Sequence, residues 1–389
     1  MSKGLLITNA RIMSPTLTLR SGWLVCHNGR IDAMGSGIPL GMGNMETIDA
    51  RGLLLLPGFI DVHVHGAKGC DTMDASVESL ATMAEFYATH GVTSFLATTW
   101  TASRDRISAA LTAVKDYISG THPGAQLLGV HLEGPYLNPS KCGAQNAEHI
   151  RRAMQDEALE FLDSGVIRLV SLAPEYQENH WLIEACVERG ITISAAHTDA
   201  TYDEIRTALA HGLRHATHTF NAMRGLHHRE PGTVGAVLNA SEIRCELIAD
   251  NIHVHPAAMQ LLWRAKGREG TVLITDATAV TGLPEGNHIL DERPVVVRDG
   301  AVRLENGSLA GSTLTMDRAL RTFVAATGET INSIWPVTSL NPAAAIGISD
   351  QKGSIESGKD ADLVLIDDDF KVYLTIVGGQ VVYSALENA

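Results

Sequence analysis

Two histidines close a short apolar segment early in the chain. Residues 56–66 read Leu-Pro-Gly-Phe-Ile-Asp-Val-His-Val-His-Gly, a pattern that predicts a strand ending in His63 and His65. Because residues two apart on a strand point the same way, both imidazoles face one side at the strand's carboxyl end. Imidazoles at this spacing are a good start for a divalent-metal site, although an isolated His-x-His is more often just two histidines at a polar strand end.

Other metal-ligating side chains stand where further strands are predicted to end. From residue 57 onward, short apolar or β-branched segments alternate with helix-length segments. The strand candidates cover residues 59–63, 93–98, 127–133, 167–173, 191–197, 215–218, 245–249 and 272–276. Eight such units predict a (β/α)8 TIM-like barrel, whose catalytic groups sit at the carboxyl ends of the strands.

The ends of five of these strands carry six metal-ligating residues: His63, His65, Glu133, His197, His218 and Asp276. Four imidazoles and two carboxylates suit one or two divalent cations with an open position for water. We expect Zn²⁺, with Fe²⁺ or another divalent ion as the alternative. Such a site activates water and polarises a carbonyl group, which is the chemistry that amide hydrolysis requires.

The chain on either side of the predicted barrel has a β pattern. Residues 1–55 contain a hairpin around Asn28-Gly29, a dipeptide that favours a tight primed turn, and residues 355–389 return to short apolar strands. We therefore expect an α/β protein in which residues 1–55 and 355–389 form one small β-sandwich domain. The barrel, residues 56–354, is inserted between them. Gly282 and Gly286 further indicate a flexible loop after the last barrel strand.

Composition narrows the class of protein. Of 389 residues, 45% are hydrophobic and 19% charged, as in a well-buried globule, and the net charge of -14 argues against a nucleic-acid surface. The five cysteines include no C-x-x-C pair, which favours free thiols in a reducing compartment. No stretch approaches the roughly 20 apolar residues of a membrane span, and the first residues are too short an apolar run for a signal peptide. We expect a cytoplasmic protein without a membrane partner.

Several motifs together resemble those of a known family. The segment 57–66 and the closing Gly-Lys-Asp-Ala-Asp-Leu-Val at 358–364 resemble the amidohydrolase superfamily. Within it, the chain is similar to the N-acetylglucosamine-6-phosphate deacetylases. The motifs that carry this resemblance lie at residues 131–135, 172–175, 195–198, 218–223, 227–232, 248–253, 275–277 and 309–312. Each motif alone is weak evidence for the family, but the set as a whole is specific to it.

The resemblance implies a role for each matched residue. Glu133, His197 and His218 match the shared metal ligands, and His63 and His65 match the ligands of a second ion that only some members hold. Asp276 matches the catalytic acid/base. Four residues match positions that contact the sugar phosphate: Asn221, Ala222 (through its backbone), Arg229 and His253. Leu309 matches a position near the acetyl group. Arg229 would reach the substrate across the interface of a homodimer.

One position departs from the family pattern. Many members have a histidine in the loop after Glu-Gly-Pro, where this chain has Gln145. Glutamine still donates a hydrogen bond to substrate, but it cannot carry a positive charge.

The predicted function is therefore metal-dependent removal of acetate from N-acetyl-D-glucosamine 6-phosphate, a small-molecule amino-sugar phosphate, in amino-sugar catabolism. The galacto isomer of the substrate is the near alternative, since no motif separates the two 4-hydroxyl orientations. A cyclic-amide hydrolase or deaminase is more distant, because residues 227–232 argue for a phosphate. A metal-free scaffold would be expected to have lost ligands, and none of the six is missing.

Overall fold

The computed structural model describes residues 4–39 and 45–386. The strands are β1 Leu5–Met13, β2 Thr18–His27, β3 Arg30–Ser36, β4 Glu46–Asp49, β5 Leu54–Pro57, β6 Phe59–Val64, β7 Gly66–Ala67, β8 Cys70–Asp71, β9 Val92–Thr98, β10 Gln126–Glu133, β11 Ile167–Leu172, β12 Thr192–Ala195, β13 His215–Ala216, β14 Arg244–Ile248, β15 Thr271–Ile274, β16 Gly286–Leu290, β17 Arg293–Arg298, β18 Ala301–Leu304, β19 Leu309–Ser312, β20 Leu363–Ile366, β21 Val372–Val377 and β22 Gln380–Ser384. The helices are α1 Val77–Ala88, α2 Arg104–Ser119, α3 Gln155–Asp163, α4 His180–Glu188, α5 Tyr202–His211, α6 Gly232–Asn239, α7 Pro256–Gly270, α8 Met316–Thr327, α9 Ile331–Ile334 and α10 Leu340–Ala345.

Eight parallel strands form the barrel, in the order β6-β9-β10-β11-β12-β13-β14-β15. Helices cover the outside and side chains fill the inside, so these strands are buried on both faces and read as apolar runs in the sequence. Backbone hydrogen bonds join the last strand region to the first: the Asp276 amide donates to His63 O (3.0 Å) and the His65 amide to Ala277 O (2.8 Å). The predicted barrel is confirmed, with a strand at each of the eight predicted places.

Strands from both ends of the chain share a second sheet, in the order β22-β21-β20-β5-β1-β2-β3 with β4 beside β1. β20 runs antiparallel to β5, so the two chain ends meet in mid-sheet. At the turn between β2 and β3, Asn28 and Gly29 both have positive φ (50° and 79°), as a primed turn requires. The small β-sandwich domain built from both termini is thus confirmed; its boundaries at residues 55 and 355 stay predictions.

An antiparallel sheet of four strands, β16-β17-β18-β19, follows the last barrel strand. The flexible loop expected around Gly282 and Gly286 is therefore wrong in part, because Gly286 already begins β16. Along β17, buried and exposed positions alternate from Val295 onward. The sequence there has three consecutive valines and no such alternation, so the available signal was this run of β-branched residues. The sheet matters for the site because β19 begins with Leu309.

Of the helices in residues 4–39 and 45–386, none combines the length and the apolar character that crossing a membrane demands.

Candidate active site and metal centre

A cavity of about 290 Å³ opens at the carboxyl ends of the barrel strands. Its walls are His65, Trp100, Glu133, Gly143, Ala144, Gln145, His197, His218, Asn221, Ala222, His253, Asp276, Ser308, Leu309 and Gly311. Ten of the twelve residues predicted for the site are in this wall. His63 lies directly beneath it with no exposed surface, and Arg229 lies elsewhere.

Three of these residues have left-handed backbone conformations immediately after a strand. The φ angles are 44° at His197, 32° at His218 and 51° at Asp276. Non-glycine residues rarely adopt positive φ, and such positions cluster at functional sites. At His218 the backbone leaves the strand after only two paired residues, so the predicted strand at 215–218 is shorter than expected.

Glu133, His197 and His218 form the first of two groups at this cavity that could hold a metal ion; the third such group among the described residues is His63, His131 and Glu246. Glu133 Oε1 lies 3.1 Å from Nε2 of His197 and 3.1 Å from Nε2 of His218, and the two imidazole nitrogens are also 3.1 Å apart. In a tetrahedral site with ligand bonds of about 2.0–2.1 Å, neighbouring ligand atoms are about 3.3 Å apart. The three donor atoms therefore already have the spacing of one face of a tetrahedral metal site.

His63, His65 and Glu133 form the second group, and Asp276 adjoins it. Glu133 Oε2 is 3.6 Å from His63 Nε2 and 3.3 Å from His65 Nε2. Asp276 Oδ1 is 3.5 Å and 3.4 Å from the same two nitrogens. The two carboxylate oxygens of Glu133 thus face one group each, so that this residue joins both groups as a bridge.

Three of the four imidazoles are held by partners outside the cluster, whereas His218 Nδ1 has no hydrogen-bond partner among the described residues. His197 Nδ1 donates to Lys141 O (2.8 Å) and His63 Nδ1 to Glu246 Oε2 (3.0 Å), which leaves each Nε2 lone pair free for an ion. His65 is held instead by stacking on Trp100, with ring centroids 4.0 Å apart. These contacts orient the nitrogens as metal-binding histidines are commonly oriented.

Electrostatics favour a cation at this place. Burial raises the pKa of Glu133, but His63, His197 and His218 outweigh burial and hold that pKa well below its ordinary value. Burial lowers the pKa of His65, yet Asp276 and Glu133 outweigh it and raise the pKa to about 9. Glu133 is therefore anionic at neutral pH, and His65 holds a positive charge that a metal ion would replace.

The donor set also fits an ion on chemical grounds. His63 Nε2 is fully buried and has no hydrogen-bond partner among the described residues. The Nε2 atoms of His197 and His218 lie 3.1 Å apart, so a proton or a cation must stand between these two nitrogens. Nitrogen and carboxylate donors in this ratio are those that Zn²⁺ and Fe²⁺ take in proteins.

Gln145 contacts Glu133 directly. Its Oε1 accepts from the Thr101 amide (2.7 Å), which orients Nε2 to donate to Glu133 Oε2 (2.6 Å). The residue lines the cavity, but both polar atoms of its amide already have protein partners. A contact between Gln145 and a substrate stays a prediction, and the structure adds a second role in fixing the bridging carboxylate.

The remaining cavity residues come from loops and from the extra sheet. Asn221 and Ala222 follow His218 in a turn where Ala222 has φ 50°. His253 donates from Nδ1 to Asp250 Oδ2 (2.6 Å), which leaves Nε2 for a ligand. Leu309 supplies the apolar side of the wall. The cavity wall thus combines polar groups with the apolar side chain of Leu309.

Arg229 is the predicted site residue that this chain does not bring to its own cavity. Its side chain is exposed, and Nη1 donates to Nε2 of the neighbouring His228 (2.8 Å). Its segment also exposes Leu226, at 60% of the residue's full accessibility. A substrate contact from Arg229 would therefore have to come from another copy of the chain.

Two contributors were missed by the sequence analysis. Trp100 supports His65, and Glu246 contacts His63, His215 and the His218 backbone. A single acidic residue inside the apolar strand β14 was the available signal for Glu246, because a buried charge needs partners. For Trp100 the sequence offered no such signal.

Comparison with known proteins assigns the chain to a family. The sequence model of the amidohydrolase family matches residues 54–382 of this chain. The chain belongs to the amidohydrolase family. Among curated family members, N-acetylglucosamine-6-phosphate deacetylase from Bacillus subtilis (strain 168) is 38% identical over 397 residues, covering 100% of this chain and 99% of the relative. N-acetylgalactosamine-6-phosphate deacetylase from Escherichia coli O157:H7 is 39% identical and covers 94% of this amidohydrolase and 97% of its own length.

A solved structure extends the likeness to three dimensions. The crystal structure of N-acetylglucosamine-6-phosphate deacetylase from Pasteurella multocida superposes on this amidohydrolase with a TM-score of 0.92. The two sequences are 33% identical, and the match covers 97% of this chain and 99% of that one. The resemblance of the sequence motifs to this family is therefore confirmed.

Proposed function

We propose that the protein is a metal-dependent deacetylase that hydrolyses N-acetyl-D-glucosamine 6-phosphate to D-glucosamine 6-phosphate and acetate. The observation that carries the proposal is the cluster itself. Two groups of candidate metal ligands share Glu133 at a small cavity, and Asp276 both lies next to these ligands and lines the cavity. Full-length relatives with this activity support the choice of substrate.

We propose Zn²⁺ as the ion, held by Glu133, His197 and His218, with His63 and His65 available for a second ion. Asp276 is the sixth residue of the donor set. When bound, a divalent cation supplies Lewis acidity, which acidifies a coordinated water and polarises an acetyl carbonyl group.

The chain's own groups then carry the protons. Asp276 is anionic, because His63 and His65 outweigh burial and lower its pKa, so it can accept a proton from the attacking water. Once the oxygen–carbon bond has formed, the same carboxyl group donates that proton to the sugar nitrogen as the carbon–nitrogen bond breaks. Acetate and the free amine leave. A single residue at the edge of the cluster can therefore act first as base and then as acid.

We further propose that Asn221, the Ala222 backbone, His253 and Gln145 hold the sugar phosphate, and that Leu309 packs against the acetyl methyl group. All five line the cavity. The polar residues lie on loops after the strands and Leu309 on β19, so the polar and apolar parts of the substrate would meet different walls.

The phosphate group is expected to bind Arg229 of a second subunit in a homodimer. Changing Arg229 to Ala should raise KM about 10–100-fold with little change in kcat, because a charge-assisted hydrogen bond contributes about 1.5–3 kcal/mol. Steady-state kinetics check this, with Arg20→Ala, an exposed residue of the β-sandwich domain, as the control. An unchanged KM, or a protein that sediments as a monomer at assay concentrations, would contradict it.

Turnover of two acetylated sugars tests the function itself. Purified protein should release acetate from N-acetyl-D-glucosamine 6-phosphate, lose that activity on metal removal and regain it when Zn²⁺ is restored. The same assay with N-acetyl-D-galactosamine 6-phosphate decides the alternative that the Escherichia coli O157:H7 relative raises. A larger kcat/KM for the galacto sugar would transfer the proposal to that substrate. Full activity after complete metal removal would refute the mechanism.

We place this reaction in the cytoplasm, since all five cysteines, Cys26, Cys70, Cys142, Cys186 and Cys245, are free thiols. Fractionation of cells that express the full chain tests this, and recovery of the protein outside the cytoplasmic fraction would overturn it.

A further inference from the structure

Glu246 is a fully buried acid that has no contact with the cavity. It lies on barrel strand β14, where its neighbours Cys245 and Leu247 are also fully buried. Burying a carboxylate is costly unless donors compensate it, and Glu246 accepts three hydrogen bonds. Oε1 accepts from His215 Nε2 (3.0 Å), and Oε2 accepts from His63 Nδ1 (3.0 Å) and from the His218 amide (3.0 Å).

The first consequence concerns His63. Because Nδ1 carries the hydrogen that Glu246 accepts, the lone pair is on Nε2, the atom that faces Glu133 Oε2 and Asp276 Oδ1. That nitrogen is buried and otherwise lacks a hydrogen-bond partner among the described residues. Glu246 therefore selects the tautomer and the ring orientation that a metal ion at the second group needs.

The second consequence concerns His218. Its backbone has φ 32°, a conformation that a histidine rarely adopts, and Glu246 Oε2 accepts the amide hydrogen of this residue. This turn directs the ring so that Nε2 lies 3.1 Å from His197 Nε2 and 3.1 Å from Glu133 Oε1. The oxygen that orients His63 thus also holds the backbone turn that places His218.

We infer that Glu246 is a positioning residue shared by both metal positions, through one carboxylate oxygen that fixes a ligand of each. The inference rests on the proposed function only in requiring that the cluster binds metal. A purely structural role for Glu246, as a buried anion that ties β14 to its neighbours, would affect the stability of the fold but not the affinity of the folded protein for metal.

Changing Glu246 to Gln separates these roles, because the amide keeps the shape of the side chain and loses the charge. One amide orientation retains an acceptor for His63 but then presents a donor to His215. We expect the dissociation constants of Zn²⁺ at both positions to rise about 10–100-fold, as is usual when an outer partner of a metal ligand is lost. Competition with a chromophoric chelator measures them, and the visible absorption of the Co²⁺-loaded protein should shift.

Glu157→Gln is the matched control. Glu157 is another buried acid, paired with Arg151 (2.8 Å) and Tyr136 (3.1 Å) and without a contact to the cluster among the described residues. This variant should lose stability and keep the wild-type affinity for Zn²⁺. Wild-type affinity and an unchanged Co²⁺ spectrum in the Glu246→Gln protein would overturn the inference.

A measurement on the unaltered chain covers the case in which the Gln variant does not fold. In protein with ¹⁵N-labelled histidines and bound Zn²⁺, the His63 resonance should show a protonated Nδ1 and a metal-bound Nε2. The reverse pattern would overturn the inference. A wild-type chain that binds no Zn²⁺ would instead contradict the proposed function, so the two failures are distinguishable.

Discussion

Changing Asp276 to Asn is expected to lower kcat by about 10²–10⁴-fold with KM nearly unchanged, the range for loss of a general acid/base. The amide has the size of the carboxyl group but can neither accept the proton of water nor pass it to the sugar nitrogen. Its carbonyl oxygen can still face His63 and His65, so the fold and the bound metal should survive. The substitution therefore removes proton transfer, which lowers kcat, and leaves substrate binding, and so KM, nearly unchanged.

Initial rates and elemental analysis of the same Asp276→Asn sample check this prediction. Asp317→Asn is a suitable control, because Asp317 pairs with His90 (3.2 Å) at a distance from the cavity, and its kcat should stay near the wild-type value. If the Asp276 variant retains its metal and turns over normally, the proton carrier is another group. If it loses its metal, Asp276 acts chiefly as a ligand.

Changing Glu133 to Gln should remove the metal and nearly all activity. One oxygen of Glu133 faces His197 and His218, and the other accepts from Gln145 Nε2 at 2.6 Å. In one orientation, the NH₂ group of the new amide would face the donor Gln145 Nε2. In the other, it would occupy the place of the oxygen that faces the metal position. Since loss of an outer partner alone costs about 10–100-fold in affinity, loss of the shared ligand should cost more than about 100-fold.

Metal-stripped wild-type protein is the comparison for the Glu133 variant. The two proteins should be equally inactive, and added Zn²⁺ should restore only the wild type. Zinc content after dialysis and the rate of acetate release give both quantities. A Glu133→Gln protein that keeps stoichiometric zinc would show that the two donor groups do not depend on a shared carboxylate.

The barrel and its candidate metal ligands could be predicted directly from the sequence. Parallel strands buried on both faces appear as apolar runs, and a polar residue at the end of such a run is conspicuous, as at Glu133 and His63. Because all these strands end at the same rim, six residues far apart in the chain could be predicted to converge. Their identities as donors then followed from the chemistry of imidazole and carboxylate.

Other features depend on contacts that the sequence does not display. The left-handed turns at His197, His218 and Asp276 are held by hydrogen bonds to distant residues, and no local sequence pattern predicts them. Glu246 acts through partners on other strands, so its role depends on which strands are neighbours in the barrel. The sheet after the barrel was missed, because Gly282 and Gly286 indicated only a flexible loop and the valines of β17 were not interpreted as a strand.

Local sequence also does not decide the structure of residues 147–162. This helix-length segment forms a single turn and then, after an extended stretch, α3 from Gln155. In that stretch the Arg151 amide donates to Pro135 O (3.0 Å) and its guanidinium pairs with Glu157 (2.8 Å). These contacts tie the chain to the loop after Glu133, and they override the local preference for helix.

The most direct test is anomalous X-ray diffraction from crystals of the native protein, with data collected on both sides of the zinc absorption edge. A zinc peak should appear between Glu133, His197 and His218, with ligand bonds of about 2.0–2.2 Å. Fully active protein whose crystals show no anomalous scatterer among these three side chains would contradict the proposal that a bound cation is at the centre of the reaction.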